Sequence, residues 1–350
     1  MPTARHALGG GVVNGTLYAL GGASEVDGCG DLNVVEAYDP ATNMWTTKAP
    51  MTTTQSHLAV GVVDGILYAV GGITGRDASC SGGSVAGTLQ AYNPATDTWT
   101  TKSPMLTARV EPTVGVINGI LYAAGGEDAS YTNVNTVEAY NPATDTWTTK
   151  SPMPTARYFA GGGVVNGILY VVGGYNDSGL LTTDVAYDPV SDTWTTIAPK
   201  PTRRYGLSGT VVNNVLYALG GANATGVLAT NEAFTPPYAA QIQQPINADG
   251  SSVFSVKRGV VPVKFTLTQG GNATCALPPA TIALTRTAGA TTGAIDENVY
   301  TGSADTGSNF RIDSCQYVYN LSASALGVGT YRVDIKINGQ VVGSGTFQLK

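Results

Sequence analysis

Apolar and polar positions along the first two thirds of the chain follow one pattern that recurs about every fifty residues. Each copy starts with a run of small and apolar residues, turns at Asn-Gly or a related pair, and returns as a second apolar run. Asn-Gly supplies the positive φ angles of a two-residue hairpin turn, and no long amphipathic run interrupts the pattern. Short antiparallel strands are therefore predicted, and the chain is expected to be all-β. Each second run ends in Gly-Gly, at residues 21–22, 71–72, 125–126, 173–174 and 220–221.

A second signature follows each of the first four Gly-Gly pairs. It consists of a tyrosine, a turn around Asp-Pro or Asn-Pro, and a tryptophan on the far side of the turn. Proline presets φ for the turn and the Asp or Asn side chain caps it, so a strand is predicted on either side. Four strands per unit are typical of β-propeller blades and not of helical solenoids. The aromatic residues of the signature are Tyr38, Trp45, Tyr92, Trp99, Tyr140, Trp147, Tyr187 and Trp194.

These motifs carry a family resemblance. Leu-Tyr-Ala-Val-Gly71-Gly72, followed by Tyr92 and Trp99, resembles the kelch repeat, which builds β-propellers. The resemblance spans residues 1–234 and implies that the Tyr and Trp rings pack between blades. Five blades are visible, and the fifth ends at Phe234 with neither the proline turn nor the tryptophan strand.

The fifth blade is therefore predicted to lack its outer strand. An unpaired sheet edge invites pairing, which leaves two alternatives: sequence upstream of residue 1 closes the ring, or a neighbouring molecule donates a strand. Met1-Pro-Thr-Ala-Arg5 has the repeat register of Met153-Pro-Thr-Ala-Arg157. This match favours the hypothesis that Met1 is a repeat residue and that upstream sequence, with a secretion signal, is missing.

Apolar alternation resumes after Pro236-Pro237 and predicts six or seven further strands. The run Pro262-Val263-Lys264-Phe265, together with Cys275, Cys315 and Tyr331, resembles the bacterial PxKF-type domain, an immunoglobulin-like module at the C-terminus of secreted proteins. The resemblance implies a β-sandwich and export. The predicted organisation is a kelch-like propeller over residues 1–235, a linker over 236–247 and the immunoglobulin-like β-sandwich over 248–350.

Comparison of the repeats with one another predicts ion pairs inside the blades. An arginine precedes the first strand of four units, and a glutamate lies two residues before the aromatic register of three. Blade 2 carries Gln55 and Gln90 at these two positions, as expected if a neutral pair replaces a charged one. Blade 4 breaks the rule, because Val185 stands opposite Arg157. The predicted pairs are Arg5 with Glu36, Arg109 with Glu138, and Arg204 with Glu232.

Charge and cysteine content narrow the partners and the compartment. The formal net charge is -6 and no Lys/Arg cluster occurs, which argues against nucleic acid, and no apolar run is long enough for membrane insertion. The four cysteines predict two disulfides, Cys29 with Cys80 and Cys275 with Cys315, and hence an oxidising compartment and a secreted or cell-surface location. Sequons offer possible glycosylation at Asn176, Asn223, Asn272 and Asn320.

Candidate catalytic residues are few. Kelch propellers followed by an immunoglobulin-like domain also occur in galactose-oxidase-like copper enzymes, which need two His and two Tyr at the axis. His6, His57, Tyr158 and Tyr205 are the nearest approach, but His6 is one register position from His57, and neighbouring side chains on a strand point in opposite directions. Acidic loop residues lack a specific calcium spacing. No catalytic residue, cofactor or metal is therefore expected.

The preferred interpretation is an exported, non-catalytic interaction or adhesion protein that binds a protein or glycan through propeller loops. The framework repeats while the loops between second and third strands vary, and recognition usually resides in such loops. One alternative is a structural subunit of an extracellular fibre or surface layer that binds copies of itself through the incomplete blade or the C-terminal domain. A galactose-oxidase-like copper enzyme is the third. The predicted contact loops are residues 23–33, 73–88, 127–135, 175–183 and 222–230.

Overall fold

The computed structural model shows two compact units, Met1–Thr235 and Pro236–Lys350, whose regular elements are β-strands. The boundary lies at the end of the fifth repeat. The structure describes residues 1–24, 30–189, 191–243, 246, 252–255, 260–269, 272–275, 280–288, 293–295, 311–313, 315–322, 326–337 and 340–350.

Over its described residues, the first unit contains five antiparallel sheets of three or four strands, hereafter blades 1 to 5, in which strands follow one another in chain order. Blades 1 to 4 have four strands each, as the sequence predicts. Their bounds are Gly9–Val13, Thr16–Leu20, Val35–Asp39 and Met44–Lys48 in blade 1; Ala59–Val63, Ile66–Val70, Leu89–Asn93 and Thr98–Lys102 in blade 2; Thr113–Ile117, Ile120–Ala124, Val137–Asn141 and Thr146–Lys150 in blade 3; Gly161–Val165, Ile168–Val172, Asp184–Asp188 and Thr193–Ile197 in blade 4; Ser208–Val212, Val215–Leu219 and Asn231–Phe234 in blade 5.

Short two-stranded ribbons accompany the blades. One pairs the segment before blade 1 with the loop between its second and third strands, and the others lie within that loop in blades 2, 4 and 5. They are two-residue strands that the hydrophobic pattern does not reveal, because so short a segment carries no periodicity. Their bounds are Arg5–His6 with Ala23–Ser24, Ile73–Thr74 with Ser84–Val85, Tyr175–Asn176 with Gly179–Leu180, and Ala222–Asn223 with Gly226–Val227.

Small residues let consecutive blades approach closely at their first strands. The first strand of each blade contacts that of the next, from blade 1 through blade 5. A Cβ atom added at Gly115 would lie 2.7 Å from both Leu169 Cδ1 and Val164 Cγ2 of the following blade. Glycine at this position therefore sets the spacing between blades 3 and 4.

In blades 1 to 4 the Gly-Gly pair that follows the second strand is hydrogen-bonded to the segment that leads into the next blade. Gly71 and Gly72 have φ angles of 66° and 104°, and a Cβ atom on Gly71 would lie 2.5 Å from the carbonyl oxygen of Arg109. The Gly72 N–H donates to that same carbonyl at 2.8 Å. Glycine is required here because both the left-handed backbone and the close approach exclude a side chain.

Hydrophobic clusters fill the seams between consecutive blades. In the seam of blades 1 and 2, Tyr18 and Val35 pack against Leu67 and Tyr92, and the Tyr18 and Tyr92 rings lie 5.8 Å apart. Equivalent clusters occupy the next two seams. Tyr92, Tyr140 and Tyr187 are fully buried in the seams, as the kelch resemblance implies, whereas among the described residues Tyr38 and Trp45 of blade 1 belong to no cluster between blades.

A set of polar contacts, here called a clamp, accompanies each of these three buried tyrosines. The Tyr92 hydroxyl donates to Asp97 Oδ1 at 2.6 Å, and the same carboxylate accepts the N–H of Ala49 at 2.9 Å. Trp99 Nε1 donates to the Ala49 carbonyl at 2.9 Å. The residue that follows the fourth strand of one blade is thus hydrogen-bonded to an Asp and a Trp of the next blade. The clamp recurs with Ser103 held by Asp145 and Trp147, and with Ser151 held by Asp192 and Trp194.

Blade 5 ends the series with an unpaired edge. Its third strand, Asn231–Phe234, pairs with Val215–Leu219, and within the described residues no fourth strand covers its other side. The first strands of blades 5 and 1 show no packing comparable to that between consecutive blades in the described ranges. The ring is open over these residues.

Over its described residues, the second unit forms two five-stranded sheets. One contains Tyr238–Gln243, Val260–Gln269, Asn272–Thr274, Arg311–Asp313 and Gln316–Ser322. The other contains Ser252–Phe254, Ala280–Ala288, Gly293–Ile295, Gly329–Ile337 and Gln340–Leu349.

One hydrophobic core draws on both sheets of this unit. The rings of Phe265 and Tyr317 stack at 5.0 Å, and those of Tyr331 and Phe347 at 5.5 Å. Residues 238–243, which the sequence assigns to a linker, instead form a strand against Val260–Gln269. The prediction missed it because the two glutamines weaken the apolar alternation that identifies a strand.

Candidate functional site

An arc of left-handed residues precedes the first strands of the five blades. The φ angle is 50° at Ala7, 53° at His57, 51° at Glu111, 52° at Phe159 and 61° at Gly206. Only glycine adopts this conformation without cost, and a bulky residue such as phenylalanine is an outlier there. Strained backbone of this kind clusters at binding and catalytic sites. These five residues, the axial arc, are therefore the first candidate for function.

Backbone hydrogen bonds link the axial arc across blades. The His57 N–H donates to the Ala7 carbonyl at 2.8 Å, and the Glu111 N–H donates to the His57 carbonyl at 3.0 Å. The Gly206 N–H donates to the Phe159 carbonyl at 2.8 Å. These bonds offset the strain by joining neighbouring blades, and they bring side chains of several blades together.

A histidine and a glutamate meet in the arc. His57 Nδ1 lies 2.7 Å from Glu111 Oε1, and their side chains are 23% and 24% exposed. The His57 ring also lies 6.5 Å from the rings of His6 and Phe159. The expectation that the register offset separates the two histidines is wrong, because His57 sits in the left-handed turn while His6 lies in a short ribbon.

Tyrosines extend this cluster toward blade 5. The Tyr175 ring lies 6.0 Å from that of Tyr158 and 5.8 Å from that of Tyr205, and Phe159 lies 6.1 Å from Tyr205. Tyr175 and Tyr205 are each 36% exposed. Tyr158 and Tyr175 exchange two backbone hydrogen bonds, of 3.1 and 3.0 Å. Since Tyr175 begins the variable loop of blade 4, the predicted contact loops open on the same face as the arc.

Carboxylates border the tyrosines. Burial raises the pKa of Glu127, and the neighbouring Asp128 and Asp177 raise it further. Burial likewise raises the pKa of Tyr158, with Glu127 adding to the effect. Asp128 also shapes its own loop, since its Oδ1 accepts the N–H groups of Ser130 and Thr132. This rim presents hydrogen-bond acceptors beside aromatic rings.

Histidine and carboxylate side chains are also the common ligands of metal ions. Among the described residues, no group of three or more His, Cys, Asp or Glu side chains is arranged to hold a metal ion. Asp31 is instead occupied by the Ser56 hydroxyl at 2.6 Å and by Arg76 Nε at 3.0 Å. Glu25 and Asp27, two other acidic loop residues, lie outside the described part of the chain.

The arginines of the repeat register lie buried behind the arc. Arg5 Nη1 lies 3.2 Å from Glu36 Oε2, and Arg204 Nη1 lies 2.8 Å from Glu232 Oε2. The guanidinium of Arg109 donates to Glu138 Oε1. Burial lowers the pKa of Arg109, and the Glu138 charge opposes that effect. In blade 2, Gln90 Nε2 donates to Gln55 Oε1 at 2.8 Å, so the neutral pair occupies the same place.

Blade 4 replaces this pairing with two other interactions. Arg157 Nη1 donates to the carbonyls of Gly173 and Thr183, at 3.0 and 2.7 Å, and burial lowers its pKa to about 10. Asp184 lies 3.6 Å from Lys200 Nζ. Burial lowers the pKa of Lys200, and the Asp184 charge opposes that effect. Lys200 stands at the register of Met51, Met105 and Met153.

Two of the predicted cysteines are joined in the described structure. Cys275 and Cys315 form a disulfide with a Cα separation of 4.9 Å. Cys80 is also disulfide-bonded, while Cys29 lies outside the described residues.

The four sequons differ in setting. Asn176 Nδ2 donates to the Ala156 carbonyl at 3.0 Å, and Asn223 Oδ1 accepts the Thr225 N–H at 2.8 Å. Asn272 and Asn320 lie in strands of the second unit.

Sequence reasoning found His6, His57, Tyr158 and Tyr205 but missed Glu111, Phe159 and Tyr175. For Glu111 and Phe159 a signal was available in principle. The position two residues after the Arg register holds a different residue in every blade while the surrounding framework repeats. The left-handed backbone that makes this position special depends on tertiary hydrogen bonds, which a repeat alignment does not show.

Comparisons with known proteins agree with this architecture. A solved structure titled "Structure of YjhT" superposes with a TM-score of 0.57 at 18% identity, covering 66% of this chain and 82% of that chain. Kelch-like ECH-associated protein 1A from Danio rerio is 36% identical over 99 residues, which are 28% of this chain. The match spans only 16% of that relative's length. No helix with the length and hydropathy of a membrane span occurs in the described ranges.

Four consecutive stretches match the family model described as Kelch motif, at residues 4–52, 56–106, 108–154 and 156–201. They coincide with the first four repeats, and the predicted kelch repeats are confirmed. Since the matched stretches make up more than half of the sequence, the chain belongs to the Kelch motif family.

Proposed function

We propose that the first unit is a non-catalytic binding module of an exported protein, and that it holds a protein or glycan partner on its loop face. The loop face comprises the axial arc and the loops between second and third strands. Kelch repeats are typically protein-interaction modules, which supports the first part of the proposal. The observation that carries it is the convergence of strained His57, Glu111 and Phe159 with partly exposed tyrosines on that face.

The chemistry of the loop face suits a partner with both flat apolar surface and hydrogen-bond donors. Exposed Tyr175 and Tyr205 offer ring faces for stacking against a sugar or an apolar side chain. Glu127 and Asp177 offer acceptors for hydroxyl, amide or cationic groups beside those rings. Tyrosines on a rigid scaffold are efficient contact residues because they bury large area with little loss of conformational entropy.

We propose no catalytic step at this face. Within the described residues His57 Nδ1 lies 2.7 Å from Glu111 Oε1, and no group of three or more His, Cys, Asp or Glu side chains surrounds the histidines in an arrangement that could hold a metal ion. Stoichiometric copper in elemental analysis of the purified protein would instead favour the galactose-oxidase-like alternative.

Export is part of the proposal. The Cys275–Cys315 disulfide is of a kind that persists in oxidising compartments. The resemblance of the second unit to the PxKF-type immunoglobulin-like domain supports the same location, and we propose that fold for its two sheets. Fractionation that found the native protein only in the cytosol would contradict export.

The binding proposal is tested by screening the protein against a glycan array and a displayed peptide library. Each ligand selected by the wild type is then measured with Tyr175→Ala/Tyr205→Ala and with Met44→Ala. Met44 is 60% exposed on the fourth strand of blade 1 and lies away from the loop face. We expect the tyrosine variant to weaken binding roughly tenfold or more, as for other interface hot spots, and the control to leave it unchanged. Equal loss in both variants, or in neither, contradicts the proposal.

A second candidate function is assembly into an extracellular fibre or surface layer, with copies of the chain as partners. It is favoured by exposed apolar side chains at both ends of the blade series: Val12 and Leu17 in blade 1 are 57% and 39% exposed, and Val212 in blade 5 is 51% exposed. Two different faces that contact one another head to tail build open filaments. Size-exclusion chromatography with electron microscopy decides between monomers and filaments.

A further inference from the structure

The unpaired edge of blade 5 borders a groove that lies where the other seams hold a tryptophan. The groove has a volume of about 120 Å³ and runs between the end of blade 4 and the third strand of blade 5. Its apolar lining is formed by Ile197, Ala198, Pro199, Leu216, Ala233 and Phe234. We call it the blade-5 groove.

The three preceding seams show what normally fills this position. In each, a strand pairs with the outer edge of the next blade and inserts its Trp beside the ring of the Tyr register, as Trp147 does at 5.2 Å from Tyr140. The same strand donates from Trp147 Nε1 to the Ser103 carbonyl at 2.8 Å. Asp145 accepts the Ser103 N–H at 3.0 Å. One strand thus supplies a ring, a donor and an acceptor at fixed spacing, Asp-x-Trp.

The blade-5 groove has the residues that would receive such a strand, but within the described residues the strand itself is absent. Ala198 stands at the register of Ser103, but within the described residues its N–H donates to no Asp and its carbonyl accepts from no Trp. Phe234 stands at the register of Tyr140 but is only partly buried. Ala233 is exposed, whereas Ala91 in the same register is 5% exposed.

We propose that the blade-5 groove binds an extended segment of another polypeptide that carries an Asp-x-Trp motif. The segment pairs antiparallel with Asn231–Phe234, as the fourth strands of the other blades pair with their third strands. Its Trp enters between Ala198 and Phe234 and donates to the Ala198 carbonyl, while its Asp accepts the Ala198 N–H. The groove continues an interface that this chain builds three times, and this continuity specifies the occupant.

One difference from the other seams sets the order of importance within the motif. Phe234 lacks the hydroxyl with which Tyr140 donates to Asp145 at 2.7 Å. The incoming Asp therefore keeps only its bond to the Ala198 N–H, and the Trp provides most of the affinity. This site is separate from the loop face, so either proposal stands or fails without the other.

The test uses a fluorescently labelled peptide with the sequence of residues 142–150, Pro-Ala-Thr-Asp-Thr-Trp-Thr-Thr-Lys. Binding to the full chain is followed by fluorescence anisotropy. We expect measurable binding, a loss of roughly tenfold or more when Ala replaces the peptide Trp, and a smaller loss when Asn replaces its Asp. No binding up to about 1 mM peptide, or equal binding of the Trp-free peptide, overturns the proposal.

Hydrogen exchange locates the bound peptide. Amides of Ala198 and residues 231–235 become protected when the peptide is added, because they acquire hydrogen-bond partners. Protection only elsewhere overturns the proposal. So does a free, monomeric protein that is already protected at 231–235, because the edge would then be covered without a segment from another polypeptide.

A variant pair provides the matched control. Ala198→Glu places a carboxylate where the peptide Asp must lie and is expected to abolish binding, while Ala143→Glu, in an exposed turn of blade 3, is expected to preserve it. Retained binding by Ala198→Glu contradicts the geometry. If that variant does not fold, the comparison between Trp and Ala peptides on the wild-type chain decides the question.

Discussion

Buried guanidinium groups precede four of the five blades at one register position, and they are stabilised in different ways. Arg109 has the carboxylate of Glu138, whereas Arg157 is surrounded by backbone carbonyls. In blade 2 the uncharged side chains of Gln55 and Gln90 replace the Arg–Glu pair and are hydrogen-bonded to each other. A buried charge that loses its partner is costly, whereas a neutral pair that satisfies both side chains is not.

Arg109→Gln is therefore expected to destabilise the first unit by about 3–5 kcal/mol, because Glu138 keeps its charge in a buried position without a counter-ion. Adding Glu138→Gln is expected to recover most of the loss, since the double variant recreates the glutamine pair of blade 2. Urea denaturation of the wild type, both single variants and the double variant completes the cycle. A double variant no more stable than Arg109→Gln would contradict this account.

The sequence was sufficient to predict which arginines face which glutamates, because the residues change together between blades. It did not predict how Arg157 is satisfied. Backbone carbonyls such as those of Gly173 and Thr183 are present in every repeat, and only their convergence in three dimensions makes them ligands. The left-handed Phe159 is likewise invisible in sequence, since nothing in its residue type favours a positive φ.

The seams between blades explain why the strand pattern was predictable at the scale of whole elements. Repeating Gly-Gly pairs and proline turns specify local geometry, and the packing of one blade on the next reuses that geometry. The strand at 238–243 lacked any such repeat to support it. The pattern also did not predict how the ring closes, because closure depends on which segment covers the unpaired edge of blade 5.

Trp147→Ala is expected to cost about 3–5 kcal/mol, since the ring is 8% exposed in its seam and donates to Ser103. The matched variant Trp45→Ala is expected to cost about 1 kcal/mol. Trp45 stands at the same register and is partly buried, but among the described residues it packs against none of the clusters between blades, whereas Trp99 and Trp194 pack against theirs. Equal costs in chemical denaturation would show that the rings stabilise blades individually and not through the seams.

The Tyr-Asp clamps predict an acid limit to the stability of the blades. The hydrogen bond from Tyr92 lowers the pKa of the Asp97 carboxyl, and the N–H of Ala49 lowers it further. Because the folded pKa lies below the unfolded value of about 3.9, the contribution is complete above that value and is lost as the pH falls through the folded pKa. Asp145 and Asp192 follow the same rule.

Thermal unfolding midpoints of the first unit are accordingly expected to be level between about pH 5 and 8 and to fall below about pH 4. Asp97→Asn is expected to lower the midpoint at neutral pH and to make the acid decline shallower. An unchanged acid decline in that variant would assign the effect to other carboxylates.

At the scale of the whole molecule, the hydrophobic clusters of the described residues divide between the two units. Four clusters belong to Met1–Thr235, and one belongs to Pro236–Lys350. Calorimetry is expected to resolve two transitions. Cys275→Ser/Cys315→Ser is expected to lower only the transition of the second unit, by about 4 kcal/mol, for a closed loop with a sequence separation of 40. A shift of both transitions would mean that the units unfold together.

Near-identical repeats carry a hazard during folding, since a segment that leads into one blade resembles the segments that lead into the others. Met51, Met105 and Met153 enter apolar sockets against Val35, Leu89 and Val137 and are chemically interchangeable. Lys200 stands at the same register but cannot replace these methionines, because docking in one of their sockets would bury its ammonium group without the carboxylate of Asp184. The Lys200–Asp184 ion pair thus distinguishes the segment before blade 5 from the equivalent segments before the other blades, and it favours docking at the correct position in the series.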